Sequence, residues 1–211
     1  MVQTIPATAI TLHELKDKFG LQLIEDEQLF REWQDNLPEI TEGEKQRLDR
    51  VKSSYSNLIE DPPLLENTVK MVVLSPLLDL AGFYLPPFRI KPEKSIEICL
   101  EDEGIIIKGQ IDVLAVCDQF WVVVIESKQA GFSLEVGKSQ LLTYMLANPH
   151  LDRPTYGLLT NGNSFLFIKL IQRYPPQYVL SRLFYILNPG NDLYHVLRIL
   201  KRLAQLAVTA N

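Results

Sequence analysis

The fold and the candidate chemistry both depend on one stretch, IDVLAVCDQFWVVVIESKQ, which covers residues 111–129. Its two apolar runs, separated by residues 117–119, have the composition of two strands entering a core. They nevertheless carry Asp112 in the first strand and Glu126 and Lys128 at the end of the second. Because a buried charge without a partner is costly, such groups are usually paired with each other or hold a metal. The stretch is therefore either a structural ion pair or a functional site.

Outward from this stretch, the apolar pattern predicts a helix, three strands, a helix and further strands. Residues 64–82 are typical of a long, largely buried helix that Pro76 kinks or restarts. Three strand-like runs follow between residues 94 and 128, and their short connections, including a predicted turn at residues 101–104, indicate an antiparallel meander. A helix over residues 134–147 precedes two runs that flank the hairpin signal Asn161-Gly162-Asn163. This order predicts an α/β (α+β) fold with a mixed central sheet flanked by helices.

The segments on either side of this core are predicted to be mainly helical. Residues 41–44, Thr-Glu-Gly-Glu, form a capping-box pattern, and the apolar spacing beyond them predicts a helix over about 42–59. A shorter helix is predicted over 27–36, and a strand over 178–187 precedes a closing helix over 192–208. The Asp-Pro-Pro at 61–63 is the clearest boundary. We therefore predict an N-terminal helical extension, residues 1–60, and a main domain, residues 61–211.

The composition favours a cytoplasmic protein without a membrane segment. The chain has 211 residues, of which 46% are hydrophobic and 22% charged, which is ordinary globular material. A net charge of -5 argues against coating nucleic acid by bulk charge, but is compatible with a local basic groove. The N-terminus lacks the features of a secretion signal, and prolines interrupt the most apolar later run. Cys99 and Cys117 lie in strand-like segments and indicate free thiols.

Three charged residues of the quoted stretch have the chemistry of a hydrolytic metal site. Strand side chains alternate, so Glu126 and Lys128 project from the same face, about 7 Å apart along the strand. Asp112 lies on the neighbouring strand. Two carboxylates that converge from adjacent strands suit Mg²⁺, and an ammonium beside them can position a water molecule. The pattern therefore favours phosphodiester hydrolysis.

The spacing of these residues resembles a known family. Asp112 is followed, after a gap of thirteen residues, by Glu126-Ser127-Lys128. This pattern resembles the bipartite active site of the PD-(D/E)XK nuclease superfamily, with Ile111 in place of the proline. TYGLLTNGNSFLFIKL, residues 155–170, is similar to the segment after the catalytic helix in the N-terminal nuclease-like domain of type I restriction-enzyme motor subunits. The resemblance covers about residues 64–170. It implies a restriction-endonuclease-like core of order αβββαβ.

The resemblance also implies a role for each matching residue. Asp112 and Glu126 would ligate Mg²⁺ or Mn²⁺ with help from the Ser127 carbonyl, and Lys128 would orient the attacking water. Two further residues match acidic and glutamine positions of many members: Glu66, to complete the metal shell, and Gln140, to support Lys128 or contact the substrate. Each has a structural alternative, because Glu66 at a helix start complements the helix dipole and Gln140 also fits a solvent-facing position.

The implied function is a metal-dependent endonuclease that hydrolyses DNA in restriction, defence or repair. Its motor or specificity subunit would be a separate chain, because no helicase-sized region is present, and cleavage of both strands by one site per chain would favour a homodimer. The alternative is a non-catalytic binding or assembly module of the same fold, in which the charged residues form a structural polar cluster.

Overall fold

One mixed sheet lies at the centre of the computed structural model, which describes residues 3–100 and 105–209. The turn predicted at residues 101–104 lies outside the described residues. The strands of this sheet, in chain order, are β1 (Gln3–Pro6), β2 (Gln22–Leu23), β3 (Phe88–Leu100), β4 (Ile105–Cys117), β5 (Phe120–Ser127), β6 (Thr155–Thr160), β7 (Ser164–Ile171), β8 (Gln177–Leu180) and β9 (Phe184–Tyr185). Their spatial order is β1-β4-β5-β6-β7-β8-β2, with β3 paired to β4 and β9 to β7.

Helices cover both faces of the sheet. They are α1 (Leu12–Phe19), α2 (Glu42–Ile59), α3 (Glu66–Val69), α4 (Ser75–Leu80), α5 (Leu134–Leu146) and α6 (Leu193–Thr209). Buried residues of α2, α3, α4 and α6 pack on one face, and those of α1 and α5 pack on the other. Along β5, Val123 and Ile125 face the first layer and Val124 faces the second. A strand covered on both sides is apolar throughout, which explains the continuous run before Glu126.

The predicted α/β class with a mixed sheet flanked by helices is confirmed, and so are several local predictions. β3, β4 and β5 form the antiparallel meander, and β6 and β7 form the hairpin around Gly162. β5 then pairs in parallel with β6, with α5 as the connection. The capping box at α2 is present, since Thr41 Oγ1 accepts a hydrogen bond from the Glu44 N–H and the Glu44 carboxylate accepts one from the Thr41 N–H.

The prediction that the first sixty residues are helical was wrong for two segments. β1 pairs in parallel with β4, and β2 pairs in parallel with β8. These strands have four and two residues, which is too short for an alternating pattern to identify them. The helix predicted over 27–36 is reduced to a short 3₁₀ helix, Glu27–Phe30. The division of the chain at residue 60 stays a prediction.

Two more predicted elements, one helix and one strand, are interrupted in the structure. The helix predicted over 64–82 consists of α3, a π turn (Lys70–Leu74) and α4. Pro76 has no N–H and its ring crowds the preceding turn, so a widened turn ahead of it is the expected accommodation. The strand predicted over 178–187 is divided into β8 and β9, which pair with different parts of β7.

Candidate functional site

The candidate site lies where β4 and β5 separate. One edge of β4 pairs with β1 at residues 105–108 and with β5 at residues 113–117. On this edge, Asp112 directly precedes the residues that pair with β5. Asp112 Oδ2 accepts a hydrogen bond of 2.7 Å from the Ser127 backbone N–H. The carboxylate therefore holds the end of β5 in the position where regular strand pairing stops.

A chain of hydrogen bonds connects Glu126 to α5. Lys128 Nζ donates to Glu126 Oε1 at 2.5 Å and to Gln140 Oε1 at 2.8 Å. Gln140 Nε2 donates in turn to the Tyr144 hydroxyl at 2.7 Å. The Gln140 side chain is buried and contacts Lys128, so it does not occupy the solvent-facing position. Its catalytic role stays a prediction.

Glu126 is a deeply buried carboxyl group of the site. The residue is 2% exposed, and its Oε2 atom is buried without a hydrogen-bond partner among the described residues. Burial, and then the negative charge of Asp112, raise the pKa of Glu126 to about 8, although the nearby Lys128 ammonium opposes the shift. Burial therefore favours the neutral form of this carboxyl group, and a cation bound beside it would favour the ionised form.

Lys70 is a part of the site that the sequence reasoning missed. Its Nζ atom lies 2.6 Å from Glu66 Oε1 and 2.8 Å from Asp112 Oδ1. Burial acts to lower the pKa of Lys70, but hydrogen bonds to Asp112 and Glu66 outweigh it, and the net shift is upward. The spacing of four residues between Glu66 and Lys70 is the sequence signal for such a pair. The contact with Asp112 has no comparable local signal.

The donor set fits a divalent cation only in part. Carboxylates are the ligands that Mg²⁺ and Mn²⁺ prefer, and the unpartnered Oε2 of Glu126 beside Asp112 offers such a ligand. The described residues nevertheless contain no cluster of three or more His, Cys, Asp or Glu side chains that could hold a metal ion. Glu66 is paired with Lys70 instead of completing such a cluster. Asp112 and Glu126 are therefore the two residues that would hold the cation, with water molecules completing the shell.

Ser127 contributes to the site through its backbone. Its N–H group donates to Asp112, and its buried hydroxyl oxygen has no hydrogen-bond partner among the described residues. The role predicted for the Ser127 carbonyl as a metal ligand stays a prediction.

Two glycines allow the elements around the site to approach one another. A Cβ atom at Gly109 would lie 2.5 Å from Tyr144 Cε1 and 2.8 Å from Ala7 Cβ. A Cβ atom at Gly137 would lie 2.8 Å from Leu159 Cδ1 and 3.3 Å from Lys128 Cε. The missing side chains therefore leave space for Tyr144 beside β4 and for α5 beside Lys128. The sequence reasoning assigned no role to either glycine.

An apolar pocket of about 350 Å³ is formed at the opposite end of β5. Its lining includes Phe120, Trp121 and Tyr156 of the sheet and Leu203 of α6. None of the candidate site residues is among its lining residues. The aromatic side chains at the start of β5 are therefore separate from the charged cluster at its end.

Comparison with known proteins adds no family assignment. No protein-family model matches the chain, and no curated protein matches its sequence. The described residues also include no helix with the length and apolar character needed to cross a membrane.

Proposed function

We propose that this chain is a metal-dependent deoxyribonuclease of the PD-(D/E)XK type with a restriction-endonuclease-like core. The observation that carries the proposal is the contact of Lys128 with a buried Glu126 beside Asp112, where the pairing between β4 and β5 ends. Buried polar atoms usually have hydrogen-bond partners. The Oε2 atom of Glu126 has none among the described residues, so it is available to a cation.

The side chains of the site have distinct tasks in this proposal. A divalent cation held by Asp112 and Glu126 would stabilise the negative charge that develops on the scissile phosphate. Lys128 orients the attacking water, because two of its three N–H groups are directed by Glu126 and Gln140 and the third is thereby given a defined direction. Gln140 and Tyr144 act as positioning residues for Lys128.

The proposed substrate is DNA and the proposed setting is cytoplasmic restriction, defence or repair. A motor or specificity subunit on another chain and a homodimer that cuts both strands are parts of the same proposal. The net charge of -5 means that substrate contacts would come from a local basic surface and from the cation, not from overall charge.

A non-catalytic binding or assembly module is the second candidate, and one contact favours it. The Lys70 ammonium already pairs with both Glu66 and Asp112, as it would in a polar cluster that only supports the fold. In such a module, the carboxylates would have no measurable affinity for Mg²⁺ or Mn²⁺.

Cleavage of linear, supercoiled, single-stranded and branched DNA in the presence of Mg²⁺ or Mn²⁺ tests the first candidate. We expect Asp112→Asn and Lys128→Ala to abolish cleavage while both variants keep their fold, as measured by circular dichroism. Lys45→Ala is a matched control, because Lys45 pairs with Glu42 on α2, outside the site. Absence of cleavage on every substrate, together with no change in melting temperature on addition of either metal, would favour the non-catalytic module.

A further inference from the structure

The Lys70 ammonium links two carboxylates that approach it from different parts of the chain. Glu66 lies four residues earlier on the helix, whereas Asp112 lies on β4, 42 residues later. Only 25% of the Lys70 side chain is exposed to solvent. The three charges therefore interact in a partly desolvated position, where ion pairs are stronger than at an open surface.

Lys70 begins the π turn of the helix, in which the Ser75 N–H donates a hydrogen bond to the Lys70 carbonyl, five residues earlier. One such turn inserts an extra residue and shifts the direction of the side chains that follow, and π turns are frequent at functional sites. Lys70 precedes the shift and keeps its contact with Glu66, while the next residue, Met71, is highly exposed.

The balance of charge explains why an ammonium occupies this position. Neighbouring carboxylates repel one another, and each of the two lysines of the site offsets this repulsion, Lys70 at Glu66 and Asp112 and Lys128 at Glu126. The Asp112 oxygen that accepts from Lys70 is also a ligand that a hard divalent cation would take. An ammonium and a metal ion cannot both occupy the same position beside that oxygen.

We infer that Lys70 is the resident counter-cation of the proposed metal site, and that a divalent cation displaces its ammonium from Asp112 when it binds. This inference rests on the proposed function, because it concerns the same carboxylates. It adds to that function a residue that tunes cation affinity without contacting the substrate. Lys70 thereby keeps the cation-free site stable and lowers its affinity for the metal.

Binding of Mn²⁺ to the purified chain, measured from the electron paramagnetic resonance signal of the free ion, tests this inference without using DNA cleavage. Lys70→Met keeps a long side chain but removes the charge, so it frees both carboxylates. We expect the Mn²⁺ dissociation constant to fall about tenfold, a change that corresponds to about 1.4 kcal/mol. The double variant Lys70→Met, Asp112→Asn should lose this gain, because an oxygen for which the two cations compete is gone.

The matched control is Lys45→Met, which changes the net charge by the same amount but removes a pair with Glu42 outside the site. We expect it to leave Mn²⁺ affinity unchanged, and circular dichroism establishes that each variant is folded. If Lys70→Met binds Mn²⁺ no more tightly than the wild type, or if Lys45→Met gains as much, the inference is wrong while the proposed function stands. If neither wild type nor Lys70→Met binds Mn²⁺, both are wrong. Mn²⁺ binding without DNA cleavage contradicts the proposed function alone.

Discussion

Replacing Glu126 by glutamine should stabilise the cation-free protein, and the gain should increase with pH. Glutamine has the same shape as glutamate and its Oε1 can still accept the hydrogen bond from Lys128. It cannot ionise. The variant therefore removes the electrostatic cost of a buried carboxylate while it keeps the packing around it.

The sign of this pH dependence follows from the pKa values of the Glu126 carboxyl group in the unfolded and folded states. In the unfolded chain it loses its proton near the ordinary value of 4.5, whereas burial and Asp112 raise its pKa to about 8 in the folded protein. Between these values the folded state binds more protons than the unfolded state, so the free energy of unfolding decreases as pH rises. This decrease in unfolding free energy is complete once the pH exceeds the pKa of Glu126 in the folded protein. Each unit between the two values corresponds to about 1.4 kcal/mol, an upper limit of about 5 kcal/mol in all, which relaxation of the folded protein around the ionised carboxylate reduces to a few kcal/mol.

The assay is urea denaturation of wild type and Glu126→Gln at pH 5, 7 and 9 in the presence of a chelator. We expect a difference in unfolding free energy below about 1 kcal/mol at pH 5 and of about 2–4 kcal/mol at pH 9. Glu97→Gln is the matched control, because Glu97 forms an exposed pair with Lys108 on the β3–β4 hairpin. A difference that stays constant with pH, or that favours the wild type at pH 9, would refute the reasoning about Glu126.

Three further substitutions test the packing beside the site, the positioning of Gln140 and the capping of α2. Gly109→Ala should lower the unfolding free energy by about 1–3 kcal/mol in urea denaturation, because its Cβ would collide with the Tyr144 ring; full stability would contradict this close approach. Tyr144→Phe removes the hydroxyl that accepts from Gln140, so we expect kcat for DNA cleavage to fall about tenfold, with a KM change smaller than twofold; an unchanged kcat would exclude the positioning role. Thr41→Ala removes the capping box of α2 and should cost about 0.5–2 kcal/mol in thermal unfolding, whereas no change would show that the cap is not needed in the folded chain.

Local signals were sufficient to predict the strand that carries Glu126 and ends directly before Lys128, and the helix that carries Gln140. Each of these signals lies within a short segment of the chain. They are the long apolar runs around residues 105–127, the hairpin residues around Gly162 and the apolar spacing in α5. Strand alternation placed Glu126 and Lys128 on one face, and their ammonium–carboxylate contact agrees with that placement. Such predictions succeed because backbone periodicity and turn geometry depend on short segments.

The sequence by itself therefore determined the α/β class, the meander with its charged strand ends, and the helix that follows them. Only the tertiary structure decided that β1 pairs with β4, that Lys70 contacts Asp112, and that Gly109 leaves space for Tyr144. These contacts join segments far apart in the chain, and short strands or single glycines leave no periodic pattern that identifies their partners. Their positions follow from packing both faces of one sheet, a long-range condition that no local stretch of residues contains.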